Sequence, residues 1–205
     1  QGGGPLMERR DLMKLLATLP VGAFALSHEE VATVAEHVHR LGLDEQGAQG
    51  KARAAFTPRF FQPLEWRTVR VLADIVIPRD ARSGSATDAG VPEFIDFAAT
   101  FYPGHQPRLR EGLGWINAES RARFGVPFPD AAPAQRIAIV EDIAWPAKAR
   151  PQHRPGVQFF NAFRDLCASG FYTTRMGVKD LGYAGNVPQA EWTGCPSAAN
   201  RHLGT

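Results

Sequence analysis

The chain of 205 residues carries 23 Lys and Arg against 21 Asp and Glu, a formal net charge of +2, with 44% hydrophobic and 21% charged residues. That balance lies close to the globular average, which excludes a disordered or fibrous chain, and it offers no basic field for a nucleic-acid partner. At this length about 70% of the unfolded chain's surface can be buried, so one domain can form a core without disulfide or metal staples. The 20 Gly and 16 Pro predict frequent reversals between short elements rather than long uninterrupted helices.

Residues 1–6, QGGGPL, carry no fold signal and read as an expression scar or leader ahead of Met7. Residues 7–25 read as a twin-arginine-type signal segment. Arg9, Arg10 and Lys14 precede an apolar run from Leu15 to Leu26, and within it Ala23 and Ala25 flank Phe24 in an A-x-A site of the kind a signal peptidase cuts. RRDLMK stands close to the twin-arginine pattern R-R-x-F-L-K, with Leu12 where Phe is commonest. The run is too short for a hydrocarbon core about 30 Å thick, which takes about 20 apolar residues. The alternative is an amphipathic first helix of the domain, against which stands the run's lack of a polar face.

Residues 26–205 are expected to form a single all-α domain. Ser27 and Glu30 make an S-x-x-E capping box, with Leu26 and Val31 placed as a hydrophobic staple, and Val31, Val34, Val38 and Leu41 follow at helical spacing up to Gly42. Leu43 to Lys51 is a linker by composition. Pro63, Glu65, Val69, Leu72, Ala73 and Val76 predict a helix that ends before Pro78, with a strand conceivable only at Ile75 to Ile77. Arg79 to Gly90 reads as a surface loop, and Pro92 opens a helix carrying Phe94, Ile95, Ala98 and Phe101. Further helices are expected over Arg108 to Phe124, from Pro133 to Pro146, and over Gln158 to Ser169, where Phe159, Phe160, Phe163 and Leu166 share a side. Strict period-two alternation is missing throughout. Residues 177–205 contain five glycines, two prolines, Tyr183 and Trp192 without helical period, and read as a long irregular Gly- and aromatic-rich strap.

Candidate chemistry is sparse. His37 and His39 lie two apart, roughly 200° on a helix, and cannot share a metal as an i, i+4 pair would. His28, His105, His153 and His202 stand isolated in loops or at helix ends. DARSGSATD, Asp80 to Asp88, lacks the alternating acids of a Ca²⁺ loop and reads as a helix-capping loop. Gly112 and Gly114 give G-x-G without a third glycine or a preceding strand, so a dinucleotide fingerprint is unsupported. No P-loop, G-x-S-x-G or C-x-x-C-H occurs in the sequence. Cofactors bound by this chain are therefore not expected. Cys167 and Cys195 are the two cysteines; in an exported protein they are free to pair, the competing states being a buried and an exposed free thiol or a bond to another chain.

The C-terminal third carries a resemblance. GFYTTRMGVKDLGYAGN from Gly170 to Asn186, followed by Trp192, Gly194, Cys195 and Pro196, resembles the gluconate 2-dehydrogenase subunit 3 family. LADIVIPRD (Leu72 to Asp80), AGVPEFIDF (Ala89 to Phe97), FGVPF (Phe124 to Phe128) and QFFNAFRDL (Gln158 to Leu166) agree with it. These are small, or gamma, subunits of bacterial flavin-dependent sugar and polyol dehydrogenases. The resemblance implies a non-catalytic chain whose partner is a large glucose-methanol-choline type flavoprotein holding FAD, often with a multihaem cytochrome c carrying haem c as electron acceptor. It implies that the small subunit helps fold and export the large one, with a periplasmic location. Phe171, Tyr172, Tyr183 and Trp192 are the expected partner contacts, since aromatic anchors dominate interface energetics. The competing reading is a stand-alone periplasmic hydrolase or lyase acting on sugars through carboxylates such as Asp74, Asp80, Glu93 and Asp96.

Overall fold

The computed structural model describes residues 56–183 and Glu36. Six α-helices follow one another: α1 (Pro63–Val76), α2 (Val91–Phe101), α3 (Gln106–Phe124), α4 (Pro133–Ala144), α5 (Arg154–Tyr172) and α6 (Arg175–Leu181). Single 3₁₀ turns at Pro103–His105, Phe128–Asp130 and Pro151–His153 lead into or between them. Among the described residues there is no strand, so the all-α expectation holds and Ile75 and Val76 belong to α1.

Proline works differently here from the composition's suggestion. Pro63 and Pro133 are the first residues of α1 and α4, and Pro92, Pro107 and Pro155 are the second residues of α2, α3 and α5. In a first turn the missing N–H is no loss and the fixed φ is already helical. These prolines therefore start helices, and α3 and α5 each run for 19 residues, longer than the reversal-rich chain expected. α1 shows the local logic most fully. Glu65, three residues after the N-cap Gln62, reaches back so that its Oε2 accepts the Gln62 amide at 2.9 Å, and Thr68, Val69, Leu72, Ala73 and Val76 form the buried stripe.

α5 is the central element and packs against each of the other five helices. It buries Phe159, Phe160, Phe163, Leu166, Cys167 and Phe171, each at 2% exposure or less. Removing each such aromatic side chain from water contributes about 1.5–3 kcal/mol. The expected helix over Gln158 to Ser169 is thus extended at both ends. Pro155 fits its first turn, and Gly170 lies inside the helix where Phe94 of α2 packs so closely that an added Cβ would meet Phe94 Cδ1 at 2.8 Å. Tertiary packing of α2 on α5 overrides the local propensity.

The strap expectation also changes at its start. Residues 175–181 form α6, where Thr174 Oγ1 caps the helix by accepting the Gly177 amide at 3.1 Å. A Cβ on Gly177 would stand 2.1 Å from the Phe171 carbonyl oxygen, so the glycine is what lets α6 fold back onto the end of α5. Residues 184–205 lie outside the described residues, as do the signal segment and the expected helix from Val31 to Leu41 apart from Glu36.

A buried polar junction fixes α3 against α1 and the turn that follows α3. Asn117, 4% exposed, donates to the Leu113 carbonyl at 2.8 Å and to Thr68 Oγ1 at 3.1 Å, while its Oδ1 accepts the Phe128 amide at 3.1 Å. Phe128 is thereby seated in the core with no exposure.

Candidate functional site

Of the four candidate carboxylates, Asp74, Asp80 and Asp96 accept backbone amides. Asp96 on α2, 1% exposed, accepts the amides of Arg59, Phe60 and Phe61 at 2.9, 3.0 and 3.1 Å. It ties the segment ahead of α1 to α2. Asp74 Oδ1 accepts the Thr87 amide at 2.8 Å, and Asp80 Oδ1 accepts the amides of Arg82 and Ser83 at 2.8 and 2.9 Å. Asp88 Oδ2 takes the Ser85 amide and Arg79 Nη2, both at 2.6 Å. Glu93, 7% exposed, sits in the first turn of α2, where the helix dipole favours a negative charge. Asp74, Asp80 and Asp88 thus act as acceptors that shape and anchor the loop from Arg79 to Gly90.

One cleft is lined by Gly104, His105, Arg108, Glu111, Phe159 and Leu166 among others. Its 210 Å³ is below the roughly 300–1,000 Å³ typical of small-molecule pockets, and a single carboxylate lines it. Among the described residues no group of three or more His, Cys, Asp and Glu side chains converges as a metal site would. Gly112 of the G-x-G sequence packs against Phe159 of α5, where an added Cβ would fall 2.0 Å from Cδ2. That glycine serves helix crossing.

The expected interface aromatics divide. Phe171 is fully buried in this chain's own core, and it meets Tyr172, which is half-buried, edge to face at 5.2 Å. Phe171 consequently has no surface to offer a partner. Tyr183 is 59% exposed and Leu181 51%. Their placement follows from a Schellman cap on α6: Gly182 takes the left-handed region at φ 68°, its amide bonds the Lys179 carbonyl at 3.0 Å, and the Tyr183 amide bonds the Val178 carbonyl at 3.2 Å. The cap leaves the Leu181 and Tyr183 side chains turned to solvent. Trp192 lies outside the described residues, as do Arg9, Arg10, Lys14, Ala23 and Ala25.

Cys167 is a fully buried free thiol in the middle of α5. Burial pushes its pKa well up, and the nearby charges of Asp74 and Asp165 add to that. Its expected partner Cys195 lies outside the described residues.

Two clusters escaped the reading of the sequence. In the first, Arg123 of α3 bonds Glu119 one turn back, Asp142 of α4 at 2.6 Å and, at 3.2 Å, Nε2 of His153. His153 is only 3% exposed and lies at the start of α5. Partial burial draws the Arg123 pKa down, but its bonds to Asp142 and Glu119 outweigh this and leave it raised. Only the Glu119–Arg123 pair, at i and i+4 on α3, carries a local signal; Asp142 and His153 come from other elements. In the second, Arg164 is 1% exposed within the apolar face of α5. Its signal was available: Phe160, Arg164, Cys167 and Phe171 fall at i, i+4, i+7 and i+11, the spacing of one helix face.

All six helices lie within the stretch, residues 63–190, over which the chain matches the gluconate 2-dehydrogenase subunit 3 family. The chain belongs to that family, whose members are subunits of multi-chain dehydrogenases. No curated protein and no solved structure matches it. Among the described residues no helix is long and apolar enough to cross a membrane.

Proposed function

We propose that this chain is the non-catalytic small subunit of a periplasmic FAD-dependent dehydrogenase of the glucose-methanol-choline type, acting on a sugar or polyol. It assists folding, twin-arginine export and stability of the catalytic flavoprotein, which holds the FAD; a cytochrome subunit with haem c takes the electrons. The observation that carries this reading is the family match over residues 63–190. It is supported by the twin arginines at Arg9 and Arg10 and by the engagement of Asp74, Asp80 and Asp96 with backbone amides. The exposed pair Leu181 and Tyr183 suits an escort that docks apolar surface on a larger chain.

The test is to tag the chain at Thr205, purify it gently from the periplasm of its native host, and record the visible spectrum with the masses of the accompanying chains. A flavin spectrum with a large stoichiometric partner is the expected result. A single colourless, monodisperse chain would overturn the reading.

A further inference from the structure

α6 places its charges against its own stability. Arg175 is its first residue and Lys179 lies four residues on, both exposed. Like charges at i and i+4 repel on a helix surface, and a cation at a helix start opposes the dipole. With 7 residues, α6 is well below the roughly 12–15 that hold a helix without tertiary support. The shortest of the six helices thus carries an unfavourable charge order on its open face.

No acid of α6 offsets these cations from outside. Asp180 is the helix's one acid, and its side chain, 10% exposed, already faces Arg82. Arg82 Nε lies 3.7 Å from Asp180 Oδ1, and Nη2 donates to the Asp180 carbonyl at 2.5 Å, while the Arg82 side chain itself stays 67% exposed. Arg175 and Lys179 make no ion pair among the described residues. At the other end of the helix Leu181 and Tyr183 are more than half exposed. Cationic and apolar side chains therefore stand together on an element that Gly177 seats directly against the Phe171 carbonyl of α5.

We infer that α6 with its cap is a docking face for the catalytic subunit of the dehydrogenase, and that the patch it meets is acidic around an apolar centre. Carboxylates of that patch answer Arg175 and Lys179, and the Leu181 and Tyr183 side chains fill the dry part of the contact; arginine and tyrosine are among the residue types that carry binding energy. The sign of the partner's charge follows from Arg82, Arg175 and Lys179. A second chain as occupant follows from the family, whose members are subunits of multi-chain dehydrogenases. This chain's own residues 184–205 suit the face less, because one acid, Glu191, is matched there by one cation, Arg201. The inference rests on the proposed function for the identity of the partner, and goes further in giving the docking residues and the charge they select.

The experiment uses the full chain tagged at Thr205 in its native host and reads how much flavoprotein stays bound as salt rises from about 0.1 to about 1 M, over which the Debye length falls from about 10 to about 3 Å. Retention by the parent chain should fall as salt rises. Arg175→Glu replaces a repulsion with an attraction to Lys179 and puts an acid where the dipole favours one, so α6 itself should gain stability. Retention should nevertheless drop about tenfold or more at low salt, with a flatter salt dependence. Arg175→Lys should keep most of the binding, and Arg154→Glu, the same charge change at the first residue of α5, should leave it unchanged. Carbodiimide, which joins a lysine amine to a carboxylate in contact with it, should link Lys179 to an acid of the flavin-bearing chain. Parental retention in both Arg175→Glu and Lys179→Glu, equal losses in Arg175→Glu and Arg154→Glu, or a Lys179 crosslink to residues 1–55 of the same chain would overturn the inference and leave the proposed function standing. Unchanged retention in Arg175→Glu together with lost binding to phosphatidylglycerol vesicles would also overturn it and assign the face to a lipid surface. If no flavin-bearing chain co-purifies with the parent, the proposed function fails and the inference with it.

Discussion

Gly112 of α3 and Phe159 of α5 touch so closely that a single methyl group has no room between them: a Cβ on Gly112 would lie 2.0 Å from Phe159 Cδ2 and 2.1 Å from Cγ. Phe159 is 2% exposed and cannot swing away into solvent. Gly112→Ala gains up to about 1 kcal/mol of helix propensity and loses about 1–3 kcal/mol or more by forcing the two central helices apart. Net destabilisation is expected in urea unfolding, whereas Gly114→Ala, with open space around it, should stabilise the chain. An equal effect of the two substitutions would contradict the packing described.

Asp96 gathers three consecutive backbone amides, those of Arg59, Phe60 and Phe61. Asp96→Ala leaves these donors without their acceptor and should cost about 3 kcal/mol or more, since bonds to a charged acceptor are worth about 1.5–3 kcal/mol each. Asp96→Asn should fall between, because one oxygen is replaced by a donor. Amide hydrogen exchange at residues 59–61 should accelerate in both variants ahead of global unfolding. Unchanged protection there would refute the anchoring role.

The thiol of Cys167 predicts an alkaline limit. Its folded pKa stands well above the ordinary 9.0 because burial, and then Asp74 and Asp165, disfavour the thiolate. Below pH 9 both states hold the proton and the group gives no pH dependence. Above it the unfolded chain releases the proton and the folded chain keeps it, so stability falls by up to about 1.4 kcal/mol per pH unit. Cys167→Ala should remove that slope between pH 9 and 10.5. Alkylation should reach Cys167 only after denaturation.

Arg123 holds Glu119, Asp142 and His153 Nε2 together across α3, α4 and the turn into α5. With the Arg123 side chain 24% exposed the junction is partly screened, and Arg123→Ala should cost about 1–3 kcal/mol. Arg123→Lys should recover little of it, because an ammonium cannot present several donors in one plane. Full rescue by lysine in thermal melts would show that charge alone matters.

For export, Arg9→Lys combined with Arg10→Lys is expected to leave this subunit and its flavoprotein in the cytoplasm. Fractionation followed by a dehydrogenase assay reads this directly. Normal periplasmic activity in the double variant would remove the escort role.

Local chemistry alone determined where most helices begin and end. Pro63 with Glu65 and then Pro78, or Pro133 and then Pro146, act within a turn of themselves, and the family motifs lie along the same helices. The extent of α5, the existence of α6 and the uses of individual side chains were decided by contacts between residues far apart in the chain. The helix expected to end at Ser169 runs on through Gly170, where Phe94 packs on it, and Asp96, a candidate catalytic carboxylate in the sequence, is taken as an acceptor by amides 35 to 37 positions earlier. Periodicity and capping report energies exchanged over three or four residues. Which buried donor meets which acceptor, and that Arg164 Nη1 meets none among the described residues, is settled only when five helices close around the sixth.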